Sequence, residues 1–380
     1  MNNLKNIFGD VDKMNPDGGL LDDNCISTPS DWIDTGSKAL NAIISGSLYK
    51  GIPVGRITGF SGPSGAGKTL IINKILANAQ KKGYIAVIWD SEVAVDKDSA
   101  RNVGMDLKKT KYYPVETIED CRNQISTFLD AVIAANDPKL KFIISIDSLG
   151  NLASSKEIED ARKGKDAADV GQRAKATKSM MRSITYKAAK AGVPILFSNH
   201  IYEGMEMFPS LIKNQAGGKG PVYLASILVQ LATRQEKTSE NPNESSIAIA
   251  NNVSGVTMSA MTVKNRIVPP FLKTELYLNF RTGLDVNTGL FDLAVAFGVL
   301  EQTGSTYQFN GEKLGYRKNI EKDASFWEKI YPVIEQKLNE ELKYGAATSP
   351  NDSVVDDLVS DDDDDEDIDA GEVVINSKTK

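Results

Sequence analysis

The sequence predicts an α/β protein with a twisted, mostly parallel sheet that is covered by helices on both faces. From residue 31 to about residue 285, short β-type runs alternate with segments in which apolar residues recur every three or four positions. Such alternation is typical of a parallel sheet. The predicted strands are Arg56–Phe60, Tyr84–Trp89, Phe142–Ile146, Pro194–Ser198, Ile227–Leu231 and Val256–Val263. The predicted helices are Lys68–Gln80, Glu119–Ala135 and Gln172–Ala191.

Four regions follow one another along the 380 residues. Residues 1–30 form a short polar arm with one apolar patch of Leu4, Ile7 and Phe8. Residues 31–285 form the α/β core, and residues 286–349 form a smaller α/β region. Residues 350–380 are predicted to be a disordered acidic tail, because they include seven consecutive acidic side chains at Asp361–Asp367.

The negative charge of the chain is concentrated in this tail. The net charge of the whole chain is −7. The 31 residues from Pro350 onward carry 12 acidic and 2 basic side chains, so the first 349 residues carry a net charge of +3. A mildly basic body is compatible with nucleic-acid binding but does not require it.

Composition and apolar patterning predict a cytoplasmic protein without a membrane partner. The chain is 41% hydrophobic and 25% charged, as is typical of soluble globular proteins. Its apolar runs are short, and its first residues lack the apolar segment of a secretory signal. Cys25 and Cys121 lie far apart in the sequence without metal-ligand spacing, so we expect both to be reduced thiols.

One segment fits the phosphate-binding pattern G-x-x-x-x-G-K-[ST]. It follows a predicted strand and opens a predicted helix, so backbone N–H groups and the helix N-terminus can face an anion. Lys68 is expected to reach the β- and γ-phosphates of ATP, and the Thr69 hydroxyl is expected to bind Mg²⁺. The predicted phosphate-site residues are Gly62, Pro63, Ser64, Gly65, Ala66, Gly67, Lys68, Thr69 and Leu70.

Two carboxylates are expected beside this loop. Asp147 ends the strand Phe142–Ile146, where it would hold Mg²⁺ through water at the carboxyl edge of the sheet. Glu92 follows the strand Tyr84–Trp89 and is the candidate general base that orients the attacking water. Each carboxylate alone is equally compatible with an ordinary residue of a strand–helix turn.

Several segments resemble the RecA-type recombinases, which are ATP-dependent DNA strand-exchange proteins. The segments read DTGSKALNAIISG, GIPVGRITGFSGPSGAGKT, DSEVAVD, ARNVGMD and VKNRIVPPF, in the order and spacing of that family. The resemblance covers about Thr35 to Lys318 and implies a RecA-like phosphate-loop ATPase core. Two further segments, IDSLGNLASSKEIEDA and the SNH that ends a strand, are similar to the phage members of the family.

The resemblance implies roles for residues that the pattern alone leaves open. Glu92 matches the catalytic glutamate of the family, and His200 stands where the family has a polar sensor of the γ-phosphate. Lys264 and Arg266 match basic residues that reach the nucleotide of the neighbouring subunit. The lesser alternative for His200 is a packed core residue, and on composition alone the two cations are solvated surface charges.

The adenine contacts are less complete than the phosphate contacts. Asp96 matches an adenine-contacting aspartate of the family, but Ser99 stands where a tyrosine stacks on the base. Phe280 is a candidate for the missing stacking surface.

Two segments that follow strands are candidate DNA-binding loops, at about 151–170 and 201–218. Basic residues of such loops and of the helix after the first loop would contact phosphates, and apolar residues would insert between bases. A basic helix face is otherwise an ordinary solvated surface. The predicted DNA-binding residues are Arg173, Lys175, Arg182, Val170, Met205, Phe208, Lys213, Gly217 and Gly218.

Together these features predict a DNA-dependent ATPase that uses ATP and Mg²⁺ and releases ADP and phosphate. The resemblance implies as partners single-stranded DNA, homologous duplex DNA, further copies of the chain in a helical filament, and single-strand-binding and mediator proteins. In such a filament the apolar patch of Leu4, Ile7 and Phe8 on the arm is the candidate polymerisation element. A ring-forming helicase of the same superfamily and a non-catalytic recombinase paralogue are the alternatives. The acidic tail either aids solubility or competes with DNA or a partner for basic surface.

Overall fold

The computed structural model describes residues 2–19, 21, 26–164, 170–202, 214–216, 218, 220–237, 253–279 and 281–343. Its helices are α1 (Asn2–Met14), α2 (Lys38–Ser45), α3 (Lys68–Lys81), α4 (Lys97–Asn102), α5 (Ile118–Ala135), α6 (Ser155–Arg162), α7 (Val170–Ala191), α8 (Gly220–Leu224), α9 (Leu290–Ala296), α10 (Arg317–Ile320) and α11 (Ala324–Glu341). Its strands are β1 (Trp32–Ile33), β2 (Ile52–Pro53), β3 (Ile57–Gly62), β4 (Ile85–Asp90), β5 (Thr110–Pro114), β6 (Phe142–Asp147), β7 (Ile195–Tyr202), β8 (Asn214–Gln215), β9 (Ile227–Lys237), β10 (Val253–Asn265), β11 (Lys273–Asn279), β12 (Gly283–Leu284), β13 (Glu301–Thr303), β14 (Thr306–Phe309) and β15 (Glu312–Gly315).

The central sheet of the described residues has the strand order β12-β11-β10-β9-β3-β7-β6-β4-β5, with β8 paired to β7. The pairs from β9 through β5 are parallel, whereas β10, β11 and β12 continue the sheet as antiparallel strands. The predicted α/β class with a mostly parallel sheet is therefore confirmed. Each predicted strand and helix overlaps an observed element.

The register of the parallel strands brings chemically active residues to one edge. Gly62 at the end of β3 pairs with His200 on β7, and Asp90 at the end of β4 pairs with Asp147 at the end of β6. Ligands bind outside the carboxyl ends of the strands in such sheets. This edge is therefore the place where a site is expected.

The sheet separates two apolar clusters, one on each face. One cluster includes Leu40 of α2, Ile75 of α3 and Leu338 of α11, and the other includes Leu129 of α5 and Ile184 of α7. Each of these five side chains is 0% exposed. Burial of such a side chain contributes about 1.5–3 kcal/mol, so the helices are held in place mainly by this packing.

The predicted smaller region after residue 285 contains α9, α10, α11 and an antiparallel sheet of β13, β14 and β15. Its helix α11 packs into the same apolar cluster as α2. The Glu335 carboxylate also accepts hydrogen bonds from the Ser47 hydroxyl and the Leu48 N–H, each at 2.6 Å. The region thus packs directly on the core. The domain boundaries themselves remain predictions.

The arm contains a helix that the sequence did not predict. On α1 the side chains of Ile7, Phe8, Val11 and Met14 are 52–86% exposed, and their spacing places them on one side of the helix. The following Asp17 accepts hydrogen bonds from the Tyr186 hydroxyl at 2.6 Å and the Lys190 ammonium at 2.5 Å, both on α7.

The segment at 151–170, which was predicted to be a loop, contains the helix α6. Ser154 caps this helix by accepting a hydrogen bond from the Glu157 N–H at 3.1 Å, and the Glu157 carboxylate accepts one from the Ser154 N–H at 3.3 Å. This reciprocal capping box satisfies backbone donors and starts a helix within a polar segment.

Among the described helices, none is long and apolar enough to cross a bilayer.

Candidate functional site

The predicted phosphate loop connects β3 to α3 and wraps around an open space. Gly65 and Gly67 have φ angles of +74° and +79°, which favour glycine. A Cβ atom on Gly67 would lie 2.6 Å from the Met258 sulfur. Lys68 begins α3, and its ammonium donates to the carbonyls of Gly62 at 3.0 Å and Pro63 at 2.8 Å. The loop therefore has the shape of an anion cradle at a helix N-terminus.

A cavity of about 370 Å³ lies against this loop. It is lined by the segment Ser64–Leu70, by three polar residues (Glu92, Asp147 and His200) and by three apolar residues (Val256, Met258 and Leu278). The parallel strand ends supply the polar residues, and the antiparallel strands β10 and β11 supply the apolar wall. The sequence predicted the polar side of the cavity but not this wall.

Asp147 lies between the phosphate loop and β7. Its carboxylate accepts hydrogen bonds from the Thr69 hydroxyl at 2.7 Å and from the Ser198 hydroxyl. Burial raises the pKa of Asp147, although these hydrogen bonds oppose the shift. A bound cation would relieve this cost. The hydroxyl of Thr69 and the carboxylate of Asp147 are hard oxygen donors, so the pair fits Mg²⁺.

Glu92 and His200 form a pair across the cavity. The Nε2 atom of His200 lies 2.9 Å from Oε1 of Glu92, and each side chain is 30% exposed. Burial acts to raise the pKa of Glu92, but the nearby Ser148 hydroxyl, the hydrogen bond with His200 and the charge of Lys68 outweigh it, so the pKa is lowered. Glu92 is therefore ionised at neutral pH and able to accept a proton or a hydrogen bond from water.

Ser91 connects the turn that carries Glu92 to the strand that carries Asp147. This role of Ser91 was not predicted from the sequence. The Ser91 N–H donates to the Asp147 carbonyl at 2.8 Å, and the Ser91 hydroxyl donates to the Ser148 carbonyl at 2.7 Å. The Asn151 amide donates to the Ser91 carbonyl at 2.7 Å. The small polar residues of these turns are the feature of the sequence from which such a connection could have been predicted. The two carboxylates are thus held at a fixed separation.

Lys264 and Arg266 do not lie at the cavity of their own chain. Lys264 is six residues along β10 from Met258, which places it about 20 Å from the cavity wall. Its ammonium donates to the carbonyls of Val222 at 2.7 Å and Tyr223 at 2.5 Å, and Arg266 donates to the Tyr223 carbonyl at 3.2 Å. Burial, and then the charge of Arg266, lowers the pKa of Lys264 to about 8.

Of the two candidate adenine contacts, only Asp96 lies within the described residues. Asp96 is not among the residues that line it. The Asp96 carboxylate instead caps α4 by accepting the N–H groups of Asp98 at 3.1 Å and Ser99 at 2.8 Å. These hydrogen bonds, first of all those from Ser99, lower the pKa of Asp96. Phe280 lies outside the described residues, so the base contacts remain a prediction.

The candidate DNA-binding residues divide into four groups. Lys175 and Arg182 are exposed on α7, and their spacing places them on one face. Arg173 is only partly exposed and donates to the Gly150 carbonyl, so its guanidinium is engaged within the chain. Gly218 has a φ angle of +72°. Met205, Phe208, Lys213, Gly217 and the side chain of Val170 lie outside the described residues.

The fold and the cavity define the class of the protein. A glycine-rich loop that connects a central parallel strand to a helix, opposite a strand that ends in aspartate, is typical of phosphate-loop nucleotide-binding proteins. A family model described as the RecA N-terminal domain matches residues 2–285. The chain therefore belongs to the RecA family.

Individual relatives agree with this assignment. The chain is 30% identical to Protein RecA of Bifidobacterium breve over 311 residues, which cover 82% of this chain and 73% of the relative. It is 30% identical to Protein RecA of Chlorobaculum tepidum over 318 residues, which cover 83% and 85% of the two chains. It is 29% identical to Protein RecA of Thermus aquaticus over 306 residues, which cover 80% and 83%.

Proposed function

We propose that this chain is an ATP-dependent DNA recombinase that forms filaments on single-stranded DNA and exchanges it with a homologous duplex. The observation that carries the proposal is one cavity that collects Lys68, Thr69, Glu92, Asp147 and His200. These side chains come from a phosphate loop and three strand ends, and each has a defined role in ATP hydrolysis. Membership of the RecA family supports the DNA substrate.

The roles within one protomer follow from the chemistry of the side chains. Lys68 contacts the β- and γ-phosphates, and Thr69 and Asp147 hold Mg²⁺, the latter through water. Bound Mg²⁺ neutralises phosphate charge. Glu92 orients water for attack on the γ-phosphate, and the products are ADP and phosphate. His200 hydrogen-bonds to Glu92 at 2.9 Å and is therefore placed to respond to the γ-phosphate.

The neighbouring protomer completes the site. Lys264 and Arg266 are too far from the cavity of their own chain to serve it, so their cations act on the nucleotide of an adjacent copy. They stabilise charge that develops on the transferred phosphoryl group, as an arginine finger does. Nucleotide at the interface thereby favours the extended assembly that holds DNA, and hydrolysis releases it.

The arm supplies a second contact between copies. The apolar side of α1, which contains Ile7, Phe8, Val11 and Met14, is exposed in the single chain. A core surface of the next protomer would cover it. A head-to-tail contact of this kind generates an open helical filament when its rotation does not close a ring.

DNA lies along the filament axis, where phosphates contribute most of the affinity. Lys175 and Arg182 are exposed and suited to phosphate contacts, whereas the contact of Arg173 with Gly150 must break or be shared. Val170, Met205, Phe208 and Lys213 are assigned to the same DNA-binding loops. The assembly is proposed to act in the cytoplasm, with single-strand-binding and mediator proteins as further partners.

Within the family, the chain is proposed to be of the phage type represented by UvsX. The support is the segment IDSLGNLASSKEIEDA and the SNH at 198–200 within β7, where His200 stands at the position that is glutamine in RecA. A phage-encoded protein of this type would act in the cytoplasm of the host.

Steady-state ATP hydrolysis with and without single-stranded DNA tests the function. Lys68→Ala should abolish nucleotide use, and Glu92→Gln should retain ATP binding but slow hydrolysis by about 10²–10⁴-fold. Lys81→Ala, at the other end of α3, is the matched control and should behave as wild type. Hydrolysis that does not respond to DNA, or that survives Lys68→Ala, would reject the proposal. Electron microscopy with DNA and ATP should show helical filaments and not closed rings.

A further inference from the structure

Asp90 carries a buried carboxylate at the end of β4, next to the turn that presents Glu92. Its relative exposure is 0%. One carboxylate oxygen accepts the backbone N–H groups of Glu92 at 2.9 Å and Val93 at 2.8 Å. The other accepts the Val95 N–H at 3.2 Å and the Tyr112 hydroxyl at 3.1 Å. All four donors belong to the turn or to the adjacent edge strand, so the carboxylate organises this turn.

The backbone of the turn is strained at Val93. Val93 has a φ angle of +53°, in the left-handed region that β-branched residues rarely adopt. Its side chain is 75% exposed, so packing of that side chain does not hold this conformation. The hydrogen bond from the Val93 N–H to Asp90 does.

We infer that Asp90 is a positioning residue for Glu92, an inference that rests on the proposed role of Glu92 in hydrolysis. Asp90 does not line the cavity, so its hydrogen bonds reach Glu92 only through the turn, while its charge also helps to raise the pKa of Asp147. It fixes the N–H of Glu92 and of the residue that follows, and so it sets the direction in which the Glu92 side chain leaves the backbone. Ser91 fixes the preceding peptide to β6. Glu92 is thus held between two anchors, with its carboxylate 2.9 Å from His200.

Tyr112 supports Asp90 from β5. Burial, and then the negative charge of Asp90, raises the pKa of Tyr112, so its hydroxyl remains a proton donor to that carboxylate. Tyr112 is 41% exposed. Its replacement by phenylalanine removes the hydroxyl and its hydrogen bond to Asp90 but keeps the ring, so the core is not opened. Tyr112→Phe is therefore a mild test of the same device.

The test is steady-state ATP hydrolysis by Asp90→Asn in the presence of single-stranded DNA. Asparagine keeps the shape and one acceptor oxygen but replaces the other oxygen by a donor that faces the Val95 N–H. We expect kcat to fall about tenfold to a hundredfold, because small displacements of a catalytic group are costly, while KM for ATP changes less than twofold. The matched control is Asp285→Asn, since Asp285 accepts the N–H groups of Asn287 and Thr288 in the same i+2 and i+3 pattern away from the cavity. It should leave kcat unchanged.

A double-mutant cycle with Glu92→Gln separates positioning from general stability. If Asp90 acts through Glu92, then Asp90→Asn should slow the Glu92→Gln protein by less than twofold. Multiplicative losses in the double variant, or a KM change as large as the kcat change, would overturn the inference. A Glu92→Gln protein that hydrolyses ATP normally would instead reject the proposed role of Glu92.

Thermal unfolding shows whether each variant is folded. If Asp90→Asn does not fold, Tyr112→Phe decides the matter. It should lower kcat about threefold with KM unchanged, because one of four hydrogen bonds to the positioning carboxylate is lost. Wild-type kcat in a folded Tyr112→Phe protein would then overturn the inference.

Discussion

Nucleotide binding between protomers should depend on pH through Lys264. Burial and the neighbouring Arg266 lower the pKa of its ammonium to about 8. The charged fraction therefore falls from about 90% at pH 7 to about 10% at pH 9. A lysine that contacts phosphate must be protonated, so above pH 8 binding requires uptake of a proton. Each further pH unit then costs up to about 1.4 kcal/mol, and the interfacial affinity for nucleotide falls about tenfold between pH 7 and 9.

The assay is KM for ATP in DNA-dependent hydrolysis, measured from pH 7 to 9 at constant ionic strength. Wild-type KM should rise about tenfold across this range. Lys264→Arg is the matched control, because a guanidinium stays charged throughout, and its profile should be nearly flat. Lys264→Ala should bind weakly at every pH. Parallel profiles for wild type and Lys264→Arg would refute the assignment of this cation to the nucleotide.

The same shift has the opposite sign for the stability of the ligand-free chain. In the unfolded chain Lys264 holds its proton up to its ordinary pKa of 10.5, whereas in the folded chain it releases it near pH 8. The unfolded state binds more protons between these values, so the free energy of unfolding should rise with pH across that window. Urea unfolding at pH 8 and pH 10 measures this for wild type against Lys264→Arg, which should lack the contribution.

Three further predictions concern the metal, DNA and filament contacts. Asp147→Asn removes a buried carboxylate whose pKa is raised, so it should increase the melting temperature of the nucleotide-free protein. The same change should abolish the stabilisation by Mg²⁺ and ATP. A lower melting temperature of the nucleotide-free variant would contradict this. The double change Lys175→Ala and Arg182→Ala should weaken the salt dependence of binding to single-stranded DNA. The slope of log affinity against log salt concentration should fall by roughly 1.4, at about 0.7 for each lost phosphate contact. An unchanged slope would mean that DNA binds elsewhere. Phe8→Ser should shorten filaments in electron microscopy without changing the melting temperature of the single chain, and filaments of unchanged length would leave α1 without this role.

The sequence predicted the polar side of the site because that side depends on one simple rule. Lys68, Glu92, Asp147 and His200 each lie at or just beyond the carboxyl-terminal part of a parallel strand, and parallel strands place such residues at one edge of the sheet. Strand order and register then decide the actual distances. These depend on packing between distant segments, which no local pattern reports.

The parts that could not be predicted depend on such long-range contacts. The apolar wall of Val256, Met258 and Leu278 comes from antiparallel strands whose register is set by pairing across the whole sheet. In the sequence, Arg173 and Lys175 are both basic residues of one predicted helix and indicated the same role. In the structure, the Arg173 guanidinium donates to the Gly150 carbonyl. The importance of Asp90 was hidden because an aspartate at a strand end is common.

Mixing two inactive variants tests most directly whether the site is shared between copies. Lys68→Ala lacks the phosphate-binding lysine, and the double variant Lys264→Ala with Arg266→Ala lacks the cations offered to the neighbour. If the site forms between protomers, random co-assembly restores about one quarter of the interfaces, so the mixture should recover roughly a quarter of the wild-type rate of DNA-dependent hydrolysis. Mixed filaments that form on DNA but hydrolyse no more ATP than either variant alone would contradict the account.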